Sequence, residues 1–186
     1  DGKTKAEQVQ HTIRNMCAFL NGDPGKHRMT LCTFDERTET VFKRKPLSEL
    51  TETALTALLG GGALAPRGVT DIGKALDTAG LVVEEVRAAR TRVAHVLLTD
   101  GHVTAGVTGH DLLREKVPAS SEAAVRNAFV GYGHEHCAHL LQKLARDDPG
   151  PRTGRSYHFA DSLEHAGMVF GEVVHGITHE QANRGR

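Results

Sequence analysis

The chain has 186 residues, enough for one domain with a substantial core, and its 23 basic residues balance 23 acidic ones. That neutrality gives no field to attract nucleic acid or an anionic membrane, and aromatic residues at 4% leave no stacking platform for single strands. Cys17, Cys32 and Cys137 are odd in number and far apart; with no apolar run of bilayer length and no signal-peptide pattern, a reducing, cytoplasmic setting is expected.

Taken in chain order, Val9, Ile13, Met16, Cys17 and Leu20 recur at helical spacing and predict an amphipathic helix from Thr4 to Leu20. "NGDPGK" is loop chemistry. "RMTLCTF" and "TETVF", two β-branched runs separated by "DER", predict an antiparallel pair, and "KRK" at 43–45 reads as a short basic turn. A short helix, "LSELTETALTALL", follows Pro46. The glycine-rich stretch "GGGALAPRGVTD", residues 60–71, then leads into a long helix with the stripe Ile72, Ala75, Leu76, Ala79, Val83 and Val86.

"RVAHVLLTD" is an apolar run of the kind found in parallel strands covered on both faces, with His95 a core residue that needs a hydrogen-bond partner. The short helix "HDLLREKV", the strand "AVRNAFVGYG", the helix "HCAHLLQKLARD", the strand "SYHFAD" and the helix "SLEHAGMVFGEVVHGI" complete the order. Strands alternating with helices predict a single α/β layered domain over residues 1–178 with a mainly parallel sheet, followed by a polar tail at 179–186.

Ligands of open α/β sheets bind beyond the carboxyl ends of the strands. Asp100 closes "VAHVLLTD", and Thr70 with Asp71 lies between the glycine-rich loop and the long helix. A hydroxyl and a carboxylate converging there are hard oxygen ligands that suit Mg²⁺, with Mn²⁺ or Ca²⁺ as alternatives. Each residue also has a plainer reading. Thr70 is a helix N-cap, Asp71 a first-turn acid favoured by the helix dipole, and Asp100-Gly101 a turn.

In this order, "GVTDIGKAL" after a glycine-rich loop and "VAHVLLTDGHVTAG" after it resemble the von Willebrand factor type A domain. "RMTLCTFDERTETVF", "AFVGYGHEHCAHLLQKLA" and "GRSYHFADSLEHAGMVFGEV" extend the resemblance over nearly the whole chain. It implies a three-layer αβα Rossmann-like fold, with a mainly parallel sheet and one antiparallel edge strand. It also implies a non-enzymatic protein-binding module with a metal-ion-dependent adhesion site, in which Thr70 and Asp100 match two of the ligands. A partner protein's acidic side chain would complete the coordination, and the loops 60–70, 101–109 and 131–137 would rim the site. The family's Asp-x-Ser-x-Ser motif is nowhere in this sequence. The strand that carries it should precede the helix Thr4–Leu20, so the chain is expected to start after that strand, with two sheet edges left open to association. The rival expectation is a scaffold member with a degenerate, metal-free site.

Three further stretches invite other chemistry. His134, Glu135, His136, Cys137 and His139 are zinc-ligand types, but crowded into six residues at a helix start they cannot readily surround one tetrahedral ion. "GGGALAPRG" lacks the Gly-Lys-Ser/Thr ending of a phosphate loop. His102 lies near Asp100 with no serine or cysteine that the sequence sets beside it, so no hydrolase triad is legible.

Overall fold

The structure is a computed structural model, and it describes residues 5–20, 27–65, 68–87, 91–118, 125–146 and 154–179. Helix α1 spans Lys5–Leu20 and buries Ile13 and Cys17, one turn apart on the predicted stripe. Burial pushes the Cys17 thiol up to about 11, so it packs as a neutral, small hydrophobe. All three cysteines are free thiols.

Strands β1 (Arg28–Phe34) and β2 (Thr38–Pro46) form the expected antiparallel hairpin, in register from Arg28 opposite Pro46 to Phe34 opposite Thr38. β2 runs four residues past its predicted end, so "KRK" is strand and not a turn. The extension is held by pairing and by local side chains. Met29 faces Lys45, Arg28 donates to the Arg44 carbonyl, and Arg44 N–H donates to Thr30 Oγ1 at 3.0 Å. Arg44 takes a positive φ of 50° there, next to irregular pairing between Met29 and Leu31.

The single helix expected after Pro46 is two pieces. A 3₁₀ turn at Leu47–Glu49 closes through Leu50 N–H on the Leu47 carbonyl, and α2 (Glu52–Leu59) starts afresh. The reason is Thr51, whose extended backbone and hydroxyl cap the new helix by accepting from Ala54 N–H at 3.3 Å.

Helix α3 (Ile72–Arg87) precedes β3 (Val93–Thr99), and α4 (His110–Lys116) precedes β4 (Val125–Tyr132). Helix α5 (Ala138–Arg146), strand β5 (Arg155–Ala160) and helix α6 (Leu163–His179) follow. Strands β3, β4 and β5 are parallel neighbours in that order, with Thr99 beside Gly131 and Tyr132 beside Ala160. The sheet is divided, in keeping with the two open edges expected from the sequence. Among the described residues no ladder joins β1 to β3, and the β1–β2 hairpin stands as a separate sheet.

Helices cover the strands on both faces, the layering expected of this fold class. On one face Ile72 and Leu76 of α3, Leu113 of α4 and Leu141 and Leu144 of α5 bury Leu97 and Phe129. On the other, Ala166 and Val169 of α6 pack on Ala128 and Val130. α1 leans on α6 and, together with α2, buries Phe42 of β2. Each fully buried Leu or Phe contributes about 1.5–3 kcal/mol relative to exposure.

β4 is buried along most of its length, whereas Val96 and Leu98 of β3 are only half-buried. The difference is pairing: β4 has a strand on each side and β3 on one. His95 nevertheless finds the partner its setting demands. Its Nδ1 lies 2.9 Å from Asn127 Oδ1, and Asn127 Nδ2 donates to the Pro118 carbonyl at 2.9 Å. Burial holds the His95 imidazole below its ordinary pKa, against the opposing pull of the Asn127 contact.

Candidate metal site

The carboxyl ends of the strands are where the chain gathers its oxygen chemistry. Helix α3 opens at Ile72, and the residue that caps it is Asp71: its Oδ1 accepts from Lys74 N–H at 3.0 Å. The plain reading of Thr70 as the cap is thereby corrected. A side chain on the residue just before the helix reaches the third amide, and Asp71, not Thr70, holds that position. Asp71 is 4% exposed, and Lys74 Nζ lies 3.8 Å from its second oxygen.

With capping assigned to Asp71, the Thr70 hydroxyl is not needed at the helix start. A Cβ placed on Gly101 would lie 3.4 Å from that hydroxyl oxygen, so Thr70 abuts the residue directly after Asp100. The structure thus brings together the end of β3 and the start of α3, two segments thirty positions apart in the chain. β1 ends at the same place, since Asp71 N–H donates to the Asp35 carbonyl at 3.0 Å. Thr70 and Asp100 are both half-buried.

The donor set fits a hard divalent ion in kind, a neutral hydroxyl oxygen and a carboxylate. It falls short in number. Among the described residues no three His, Cys, Asp or Glu side chains are grouped to hold a metal.

The sequence reading put the loop from Gly101 to Gly109 at the rim but missed its hold on Thr70. Thr70 N–H donates to Thr104 Oγ1 at 2.8 Å, and the Thr70 carbonyl accepts from Thr104 N–H at 3.0 Å and Ala105 N–H at 3.3 Å. Gly106, at φ 70°, lies so close to the Asp71 carboxylate that any Cβ there would overlap it. "GHVTAG" carries the relevant residue types, but which hydroxyl meets which amide across thirty-four positions is a tertiary fact.

The histidine-rich turn after β4 is put to a different use. His136 is 8% exposed, with Nδ1 donating to the Gly133 carbonyl at 2.6 Å and Nε2 2.8 Å from the Tyr157 hydroxyl. Its ring stacks on Phe159 at a centroid distance of 5.5 Å and covers Gly131, where a Cβ would overlap the imidazole. His134 tilts against Phe159 as well, and Cys137 packs on the core beneath α5. Both nitrogens of His136 are committed to the fold.

No helix among the described residues is long and apolar enough to cross a membrane. The von Willebrand factor type A domain model matches residues 2–167, and the chain belongs to that family. Solved structures of similar fold include a von Willebrand factor type A protein from Catenulispora acidiphila, at 17% identity and a TM-score of 0.69. That match covers 91% of this chain and 37% of the other. Proximal thread matrix protein 1 from the mussel byssus, described with a zinc occupied MIDAS motif, is 14% identical with a TM-score of 0.62, covering 91% and 42%. Manganese-loaded TRAP protein of Plasmodium vivax is 15% identical with a TM-score of 0.62, covering 89% and 65%. The chain spans about two fifths of the mussel and Catenulispora chains. At these identities the likeness is one of fold. No curated protein sequence matches the chain significantly.

Proposed function

We propose that this chain is a non-enzymatic protein-interaction module in which Thr70 and Asp100 contribute two ligands to a divalent-ion site at the carboxyl ends of the strands. The observation that carries it is the release of the Thr70 hydroxyl from capping, by Asp71, at a point in contact with Gly101. A Mg²⁺ or Mn²⁺ ion held there supplies an open coordination position for a carboxylate of a partner protein. The chain's own residues do the rest. Asp100 offers charge, Thr70 offers a neutral oxygen that leaves the ion net positive, and the rim residues His102, Val69 and His134, all exposed, meet the partner. The mussel and Plasmodium relatives of similar fold are described as zinc- and manganese-bearing, which supports a divalent ion without choosing one.

Two side-chain oxygens make a weak site. The second reading, a metal-free scaffold, draws on the absence of any described group of three acidic, histidine or cysteine ligands. Calorimetric titration of Mg²⁺ and Mn²⁺ into this chain and into its Asp100→Ala variant separates the two. Binding that is lost with Asp100→Ala supports the site. Binding unaffected by Asp100→Ala removes Asp100 from it, and no binding by the folded chain favours the scaffold.

A further inference from the structure

The geometry points to the open edge of β5 as a docking strand for an extended peptide of a partner protein, with carboxylates at alternate positions of that peptide. β5 is the last strand of its sheet, and among the described residues no strand pairs with its far side. Its ladder with β4 engages every second residue. The Gly154 and Ala160 carbonyls accept from Asn127 and Gly133 N–H, so the backbone groups of Tyr157 and Phe159 are directed away from β4. Nothing in β5 blunts that edge. The strand holds no proline and no lysine, and its register runs unbroken from Arg155 to Ala160.

Side chains on the two faces of the edge choose the occupant. On the α5 side lies a cavity of about 480 Å³ lined by Gln142, Ala145, Arg146, Arg155, Ser156 and Tyr157. Among the described residues that lining presents two guanidiniums and no carboxylate. Arg155 is half-buried and steadied from below, its Nη1 donating to the Leu144 carbonyl of α5 at 3.4 Å, and Arg146 is exposed. A guanidinium takes a carboxylate in a fork of paired hydrogen bonds. On the α6 side a smaller cavity of about 130 Å³, lined in part by Arg126, Ser156, His158 and Glu172, mixes charges and favours no anion.

A peptide added to β5 continues the pleat of the sheet, so its side chains fall on the two faces in turn. Every second one meets Arg146 and Arg155 and is acidic. Those between meet the face where Ser156 Oγ lies 2.9 Å from His158 Nε2, and they are uncharged. Main-chain pairing with Tyr157 and Phe159 supplies affinity, and the alternation supplies specificity. β4 separates this edge from β3 and Asp100, so docking here is independent of any ion at the strand ends.

The experiment titrates short fluorescent peptides into this chain in EDTA, reads binding by anisotropy, and follows amide hydrogen exchange at Tyr157 and Phe159. The probe alternates Glu and Thr. Its controls are the same peptide with Lys for Glu, one with Glu and Thr in two blocks, and one N-methylated at alternate residues. Binding of the probe with slowed exchange at both amides is expected, with each control weaker by about tenfold or more. Arg146→Glu, a change at an exposed position, should weaken the probe by about tenfold at an unchanged urea midpoint. No binding of the probe overturns the proposal, as does binding that leaves exchange at Tyr157 and Phe159 unaltered. Equal binding of the N-methylated or block peptide reduces the effect to charge attraction without strand pairing, and equal binding of the Lys peptide removes the arginines from it. If the chain alone sediments as a dimer with both amides already protected, the edge belongs to a second copy and the peptide reading is overturned.

Discussion

Replacing Asp71 and Thr70 in turn tests the division of labour at the start of α3. Asp71→Ala removes the acceptor of the Lys74 N–H, a 3.0 Å bond to a carboxylate that is 4% exposed. An N-cap lost to alanine costs about 1 kcal/mol, and a buried, charge-assisted bond belongs at the upper end, about 2 kcal/mol. The ion pair with Lys74 adds little, because the lysine side chain is 56% exposed and solvent screens the 3.8 Å contact. Asp71→Asn keeps an acceptor oxygen and gives up only the charge at the helix N-terminus, about 0.5 kcal/mol. Thr70→Val keeps shape and removes a hydroxyl that does no capping, so its stability should stay within about 0.5 kcal/mol of wild type. Urea unfolding followed by far-UV circular dichroism reads the three values, and Mn²⁺ titration reads the other half of the pattern. Thr70→Val should weaken metal binding while leaving stability alone, and Asp71→Asn should do neither strongly. A Thr70→Val variant as unstable as Asp71→Ala would refute the reassignment of the cap, and with it the freedom of the Thr70 hydroxyl.

Two more expectations concern parts of the fold away from that site. Gly131→Ala puts a methyl into the space of the His136 ring, so displacement of the ring and loss of its two hydrogen bonds should cost about 2–4 kcal/mol. In a His136→Ala background the same change should be nearly neutral by urea unfolding; an equal cost in both backgrounds means the ring is not what fills the space. His95 and His158 are both held below the ordinary imidazole pKa, His95 by burial against its Asn127 contact and His158 by burial, opposed by Glu172 and reinforced by His165. The unfolded chain then binds protons first, so stability should be flat above the ordinary imidazole value of 6.5 and fall as pH drops below it toward the lowered folded values. Urea midpoints measured from pH 8 to pH 5 check this (roughly the window set by an imidazole titration), and His95→Gln should flatten the slope; a midpoint that rises on acidification contradicts the assigned directions.

Periodicity was enough for the elements that bury one continuous stripe. Ile72, Ala75, Leu76 and Val83 of α3 and Ile13 and Cys17 of α1 are buried where spacing puts them. It was also enough for β4, a run whose neighbours lie on both sides. The pair Thr70 and Asp100 was legible as residue types at strand and helix ends, because loops at those ends point into one place in any layered α/β domain. The closeness of Thr70 to Gly101 was not, nor was the role of Asp71 as the cap. "Thr-Asp-Ile" permits either residue to cap, and the choice falls to whichever one the backbone leaves just outside the first helical residue.

What the sequence determined by itself is therefore local: where apolar side chains recur, where a hydroxyl or a carboxylate ends an element, and hence the order of strands and helices. Tertiary structure alone decided the rest. It drew "KRK" into a strand, closed His136 between Gly133 and Tyr157, and set Thr104 on Thr70. Each of those depends on groups from different elements meeting at hydrogen-bond distance. Such meetings are fixed by packing of whole elements, and no pattern of neighbouring residues encodes them.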